Sequence, residues 1–139
     1  MTPDESWKKP YRPRGAVYPK VTEAALHRTV SELLDWVLLP PAVWTTFPAG
    51  WGKFSKAMGG RLQASGLKAG MPDMLVFYNG FCIGIELKVP GGNVSRKQFD
   101  MFTRLLAAGV KVYVCRHPDE VIEVLQQHSF PLRKARFAA

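Results

Sequence analysis

The sequence predicts an α/β domain built on a mixed sheet. Three observations carry that expectation: a hairpin signal at Asn79-Gly80, a strand–helix–strand run through residues 81–115, and an amphipathic helix ahead of both. A chain of 139 residues has room for one core, and a hydrophobic fraction of 47% is enough to build it.

The first helix is capped by Thr22, runs to about residue 39, and stops at Pro40-Pro41. Its apolar stripe is Leu26, Val30, Leu33 and Val37, at helical spacing. Stepping back along the stripe reaches Glu23, which places a carboxylate inward at the N-terminal end, while Glu32 falls on the opposite face. A helix N-terminus stabilises a carboxylate by itself, so Glu23 has a structural explanation beside a functional one.

Residues 43–47 form a short strand ended by Pro48, and residues 48–72 read as a long glycine-rich loop. No acidic residue lies between Asp35 and Asp73, whereas Lys53, Lys56, Arg61 and Lys68 all do. Trp44, Phe47, Trp51 and Phe54 interleave with these cations. That composition suits a surface that follows phosphates and stacks bases, although the aromatic rings can equally pack beneath the loop.

Strands at 73–78 and 81–88 flank Asn79-Gly80, the preferred type I′ pair. Ser95 and Gln98 form a capping box that opens a helix to about residue 108, ended by Gly109. The strand that follows, 110–115, should lie parallel to 81–88 because a helix connects them. Pro118-Asp119 opens a last helix to about residue 127. Residues 1–21 read as a basic, proline-rich arm, 22–127 as the folded domain, and 128–139 as a short basic tail.

Lys and Arg total 19 against 11 Asp and Glu, a net charge of +8, which calls for an anionic partner. Nucleic acid leads over a membrane, because no apolar run approaches the roughly 20 residues of a spanning helix. Cys82 and Cys115 are too few for a disulfide framework, and the polar N-terminus lacks a signal-peptide pattern. A cytoplasmic location is expected.

The hairpin also sets a register. With Asn79-Gly80 as its turn, Met74 faces Ile85 and Asp73 faces Glu86, with Cβ atoms about 4.5–5.5 Å apart. Lys88 is two positions from Glu86 and shares its face, while Ile83, Ile85 and Leu87 point the other way. Opposed carboxylates repel unless a cation lies between them. Lys88 offers a purely structural ion pair; a hard divalent cation with open positions for phosphate and water answers the repulsion better. His27, His117 and His128 lack metal-ligand spacing and read as surface or satisfied residues.

Met71-Pro72-Asp73 followed by Ile85-Glu86-Leu87-Lys88 resembles the PD-(D/E)XK motif, and the wider stretch resembles the VRR-Nuc (viral-type replication-repair nuclease) family within that superfamily. The similar features are Gly66 to Gly70, Val89-Pro90-Gly91-Gly92, Ser95 and Gln98, Gly109, and Thr22-Glu23, spanning residues 22–126. The resemblance implies a restriction-endonuclease-like α-β-β-β-α-β core with an extra C-terminal helix, and a metal-dependent phosphodiesterase. By position, Asp73, Glu86 and the Leu87 carbonyl would ligate Mg²⁺ or Mn²⁺, with Glu23 acting directly or through water. Lys88 would orient the attacking water or stabilise charge on the phosphate, and Gln98 would support the site or only cap its helix. Arg96 and Lys97 stand near enough for phosphate contact, or simply face solvent.

The leading expectation is therefore an endonuclease acting on branched replication and repair DNA, similar to a Holliday-junction resolvase and working as a homodimer. A nucleic-acid-binding protein on a retired nuclease fold is the alternative. Acids that repel phosphate would have no use there. A restriction-type enzyme ranks last, since no recognition insertion is evident.

Overall fold

A computed structural model describes Trp7, residues 20–47 and residues 55–134 of the chain. Its elements run α1 (Glu23–Val37), β1 (Val43–Thr46), α2 (Lys56–Ala64), β2 (Met74–Tyr78), β3 (Phe81–Leu87), α3 (Arg96–Ala107), β4 (Lys111–Cys115) and α4 (Pro118–Gln127). The sheet has the order β1-β2-β3-β4, antiparallel except for the β3–β4 pair. It is mixed, as expected, with the α3 crossover supplying the parallel pair. The hairpin register also matches, with Met74 opposite Ile85 and Tyr78 opposite Phe81. Asn79 adopts a φ of 51° and Gly80 one of 73°, the left-handed pair a type I′ turn requires.

The two faces of the sheet are covered differently. On one, Leu26, Val30 and Leu34 of α1 and Val121 and Leu125 of α4 pack against Met74, Ile83 and Ile85. On the other, Phe102 of α3 packs with Val112 and Trp7. Pro72 rests on Gly84 there: a Cβ at Gly84 would lie 2.9 Å from the proline Cγ, so only glycine lets the chain come this close before Asp73.

The structure corrects several expectations. Part of the 48–72 loop is helical, since α2 is capped by Ser55, whose Oγ accepts from the Met58 amide at 3.2 Å. Gly59-Gly60 hides this helix, each glycine costing about 1 kcal/mol relative to alanine. No residue of α2 is buried, so no amphipathic period marks it either. The α1 stripe runs through Leu34 rather than Leu33, which is only half-buried. Glu23 is exposed, not inward: α1 meets the sheet only from Leu26 onward. Trp7, assigned to an extended arm, is buried edge-on against Phe99 and Phe102 with centroids 5.2 and 5.6 Å away. The head of the supposed tail is docked too, with Phe130 in the core and Leu132 bridging to Leu38. The remainder of the arm up to residue 19, Trp51, Lys53 and Phe54 of the loop, and residues 135–139 lie outside the described residues.

Candidate active site

Asp73 is the residue just before β2, and Glu86 is the penultimate residue of β3. The hairpin carries their backbones past one another, so the Asp73 amide donates to Glu86 Oε1 at 3.2 Å. Asp73 Oδ2 accepts from the Leu87 amide at 2.8 Å. Lys88, directly after β3, places Nζ 3.3 Å from Glu86 Oε2. Gln98 reaches the same oxygen from α3, donating Nε2 to it at 2.8 Å. Four of the expected residues therefore meet at one point.

Gln98 has both of its proposed roles at once. Its Oε1 accepts from the Ser95 amide at 2.9 Å and its backbone amide donates to Ser95 Oγ at 3.2 Å, completing the capping box. Because the cap engages the carbonyl end, the amide nitrogen must face Glu86. Replacing Gln98 with alanine removes a donor to a buried carboxylate along with half a cap. We expect a loss of about 2 kcal/mol of stability, read by thermal unfolding, together with weaker divalent-metal binding at neutral pH.

Glu86 is only 2% exposed, and taking a carboxylate out of water costs several kcal/mol. Burial, reinforced by the charge of Asp73, pushes its pKa from an ordinary 4.5 to about 8 against the pull of Lys88 and Gln98. The Asp73 carboxyl is also raised, because burial outweighs the Leu87 hydrogen bond and the attraction of His27 and Lys88. Two acids held against ionisation, within hydrogen-bonding distance of one another, are a ready site for a positive charge.

A hard divalent cation fits this donor set. Mg²⁺ takes oxygen ligands, is commonly held by one or two carboxylates, and leaves its other positions to water and phosphate. The described residues contain no group of three His, Cys, Asp or Glu side chains arranged to hold a metal. Since such a cation must displace the Glu86 proton, affinity should rise with pH until about 8 and fall by about tenfold per unit below it. Mn²⁺ titrations across that range check this.

His27 is the residue that sequence reasoning passed over. Its Nε2 lies 3.4 Å from Thr46 Oγ1, which donates to the Asp73 carbonyl at 2.8 Å, and its charge acts on the Asp73 carboxyl. It sits four positions after Glu23 on α1, and that helical spacing was the available signal. The other two histidines are satisfied: His117 caps α4 and His128 pairs with the Tyr113 hydroxyl. Trp44 packs against the core and donates Nε1 to Asp35 at 2.8 Å. Arg96 is paired with Asp100 at 3.2 Å on an exposed face, while Lys56, Arg61, Lys68 and Lys97 are exposed.

The same overall arrangement occurs elsewhere. A solved structure described as a VRR_NUC domain protein superposes with a TM-score of 0.58 at 21% sequence identity, over 79% of this chain and 89% of that one. The fold is VRR-Nuc-like. No protein-family model and no curated protein matches the sequence. Within the VRR-Nuc-like fold, α2 is inserted between β1 and β2, and α4 follows the α-β-β-β-α-β core. The carboxylate pair lies at the end of the β2–β3 hairpin remote from the Asn79-Gly80 turn, where α3 begins.

Proposed function

We propose that this chain is a metal-dependent endonuclease hydrolysing DNA phosphodiester bonds, with branched or otherwise structured DNA as its substrate and a homodimer as its working form. The observation that carries the reading is the half-buried Asp73 beside the buried Glu86, with the Lys88 ammonium 3.3 Å from Glu86. A cation held by Asp73, Glu86 and the Leu87 carbonyl, with Glu23 contributing through water, would polarise a phosphate and lower the pKa of a bound water. Lys88 brings a positive charge that coordinates no metal and can donate to a phosphate oxygen or orient water. Gln98 keeps Glu86 fixed through the helix cap.

The charge distribution supports a polyanionic substrate. The Gly70 backbone packs against the Lys97 carbonyl, and Lys68 and Lys97 are both exposed cations. Lys56 and Arg61 add exposed cations on α2, with Lys53 and Arg96 as further candidates for phosphate contact. A binding module would gain nothing from two carboxylates destabilised by burial.

The test is cleavage of an end-labelled panel of four-way junction, flap, nicked duplex, linear duplex and single strand, with Mg²⁺ or Mn²⁺ against EDTA. Metal-dependent cutting with a preference for a branched member is the expected result. Tight binding with no cutting under either metal would transfer the assignment to the binding module.

A further inference from the structure

Lys88 lies outside β3, so something other than the sheet must hold its side chain. Its backbone amide makes one more bond across the sheet, donating to the Cys115 carbonyl at 3.1 Å. The chain then turns through Val89, Pro90 and Gly91, closed by the Gly92 amide donating to the Val89 carbonyl at 3.0 Å. This turn folds beneath the Lys88 stem. A Cβ built at Gly92 would stand 3.8 Å from Lys88 Cδ and 3.9 Å from its Cβ, the distance of ordinary packing.

Arg116 grips that turn from the far side. It is the first residue after β4, and its Nη1 donates to the Val89 carbonyl at 3.0 Å and to the Gly92 carbonyl at 2.6 Å. Its own backbone amide donates to Glu120 Oε1 in the first turn of α4 at 2.6 Å. One guanidinium nitrogen thus ties both ends of the turn to the β4–α4 junction. A planar, permanently charged donor suits this better than a flexible ammonium.

We propose that Arg116 is a positioning residue for Lys88: by clamping residues 89–92 it supports the lysine stem and keeps Nζ at Glu86. The inference rests on the nuclease reading only for its kinetic consequence. With the clamp removed, the turn relaxes, Nζ leaves Glu86, and the ammonium no longer meets the phosphate or water in register.

The experiment compares wild type, Arg116→Ala and Arg116→Lys in two ways. The first is mass-spectrometric acetylation footprinting of each lysine. Lys88, with its side chain only 13% exposed, should be protected in wild type and several-fold more reactive in Arg116→Ala, with exposed Lys97 unchanged. Free guanidinium at non-denaturing concentration should restore the protection. The second is cleavage, where kcat should fall about tenfold to a hundredfold with KM nearly constant and recover partly with guanidinium. Should Arg116→Ala not fold, Arg116→Lys, which keeps the charge but loses the fork, carries the same comparison. Equal Lys88 reactivity in wild type and variant would overturn the proposal, as would a loss of kcat that tracks unfolding and resists guanidinium. If wild type cuts nothing, the nuclease reading fails and the footprint alone still decides the clamp.

Discussion

Asp73→Asn should abolish metal-dependent cleavage and, in EDTA, make the protein more stable. The asparagine carbonyl can still accept from the Leu87 amide, so the local backbone is preserved. What disappears is one of two charges that the cation needs and the apoprotein resists. Cleavage should fall by at least about a thousandfold, the roughly 4 kcal/mol of transition-state stabilisation that a bound cation can contribute. The stability effect has a defined sign. Glu86 titrates at about 8 in the folded chain and ordinarily at 4.5, so its favourable contribution is complete below 4.5 and is lost as pH rises through 8. The raised Asp73 carboxyl acts in the same direction. Wild-type apoprotein should therefore weaken across that interval while Asp73→Asn weakens less. Thermal unfolding in EDTA at both ends of the range separates the two.

Gly70→Ala should destabilise both fold and site. Gly70 has a φ of 83°, and an added Cβ would stand 2.3 Å from the Lys97 carbonyl oxygen and 3.1 Å from the Gln98 amide nitrogen. The left-handed backbone costs an alanine about 1–2 kcal/mol, and forcing apart two backbones adds about 1–3 kcal/mol. A loss of about 3 kcal/mol, roughly 10 °C in Tm at this chain length, is expected. The consequence for chemistry is geometric. Gly70 leads into Pro72-Asp73 and Lys97 precedes Gln98, so relief of the clash separates the Asp73 loop from the helix that holds Glu86. Gly66→Ala is the control: Gly66 also has a positive φ, of 109°, but its Cβ would meet no atom within 4 Å. Only the strain of the backbone should register there, with cleavage retained.

The parts of this molecule written in local chemistry were legible in the sequence. Asn79-Gly80 dictated the turn, the turn dictated the register, and the register placed Asp73 beside Glu86. Ser95 and Gln98 declared the start of α3 through their capping box. Where placement depends on tertiary contact, legibility ended. Helix α2 buries nothing and contains two glycines, so neither period nor propensity betrays it. Trp7 and Phe130 sit in polar surroundings along the chain and find their apolar contacts far away in sequence. Glu23 continues the apolar stripe of α1 in projection, but the helix begins before its contact with the sheet does. His27 acquires its meaning only when Thr46 and Asp73 are brought to it. Arg116, separated by 27 residues from Val89, shows nothing of its grip until β4 lies alongside β3.

The central claim is that Asp73 and Glu86 together hold a divalent cation. Calorimetric titration of Mn²⁺ into wild type and Asp73→Asn near pH 8, where Glu86 ionises, tests it most directly. The account predicts saturable binding to wild type, accompanied by proton release, and its loss in the variant. Equal binding by both proteins, or none by wild type, would contradict it.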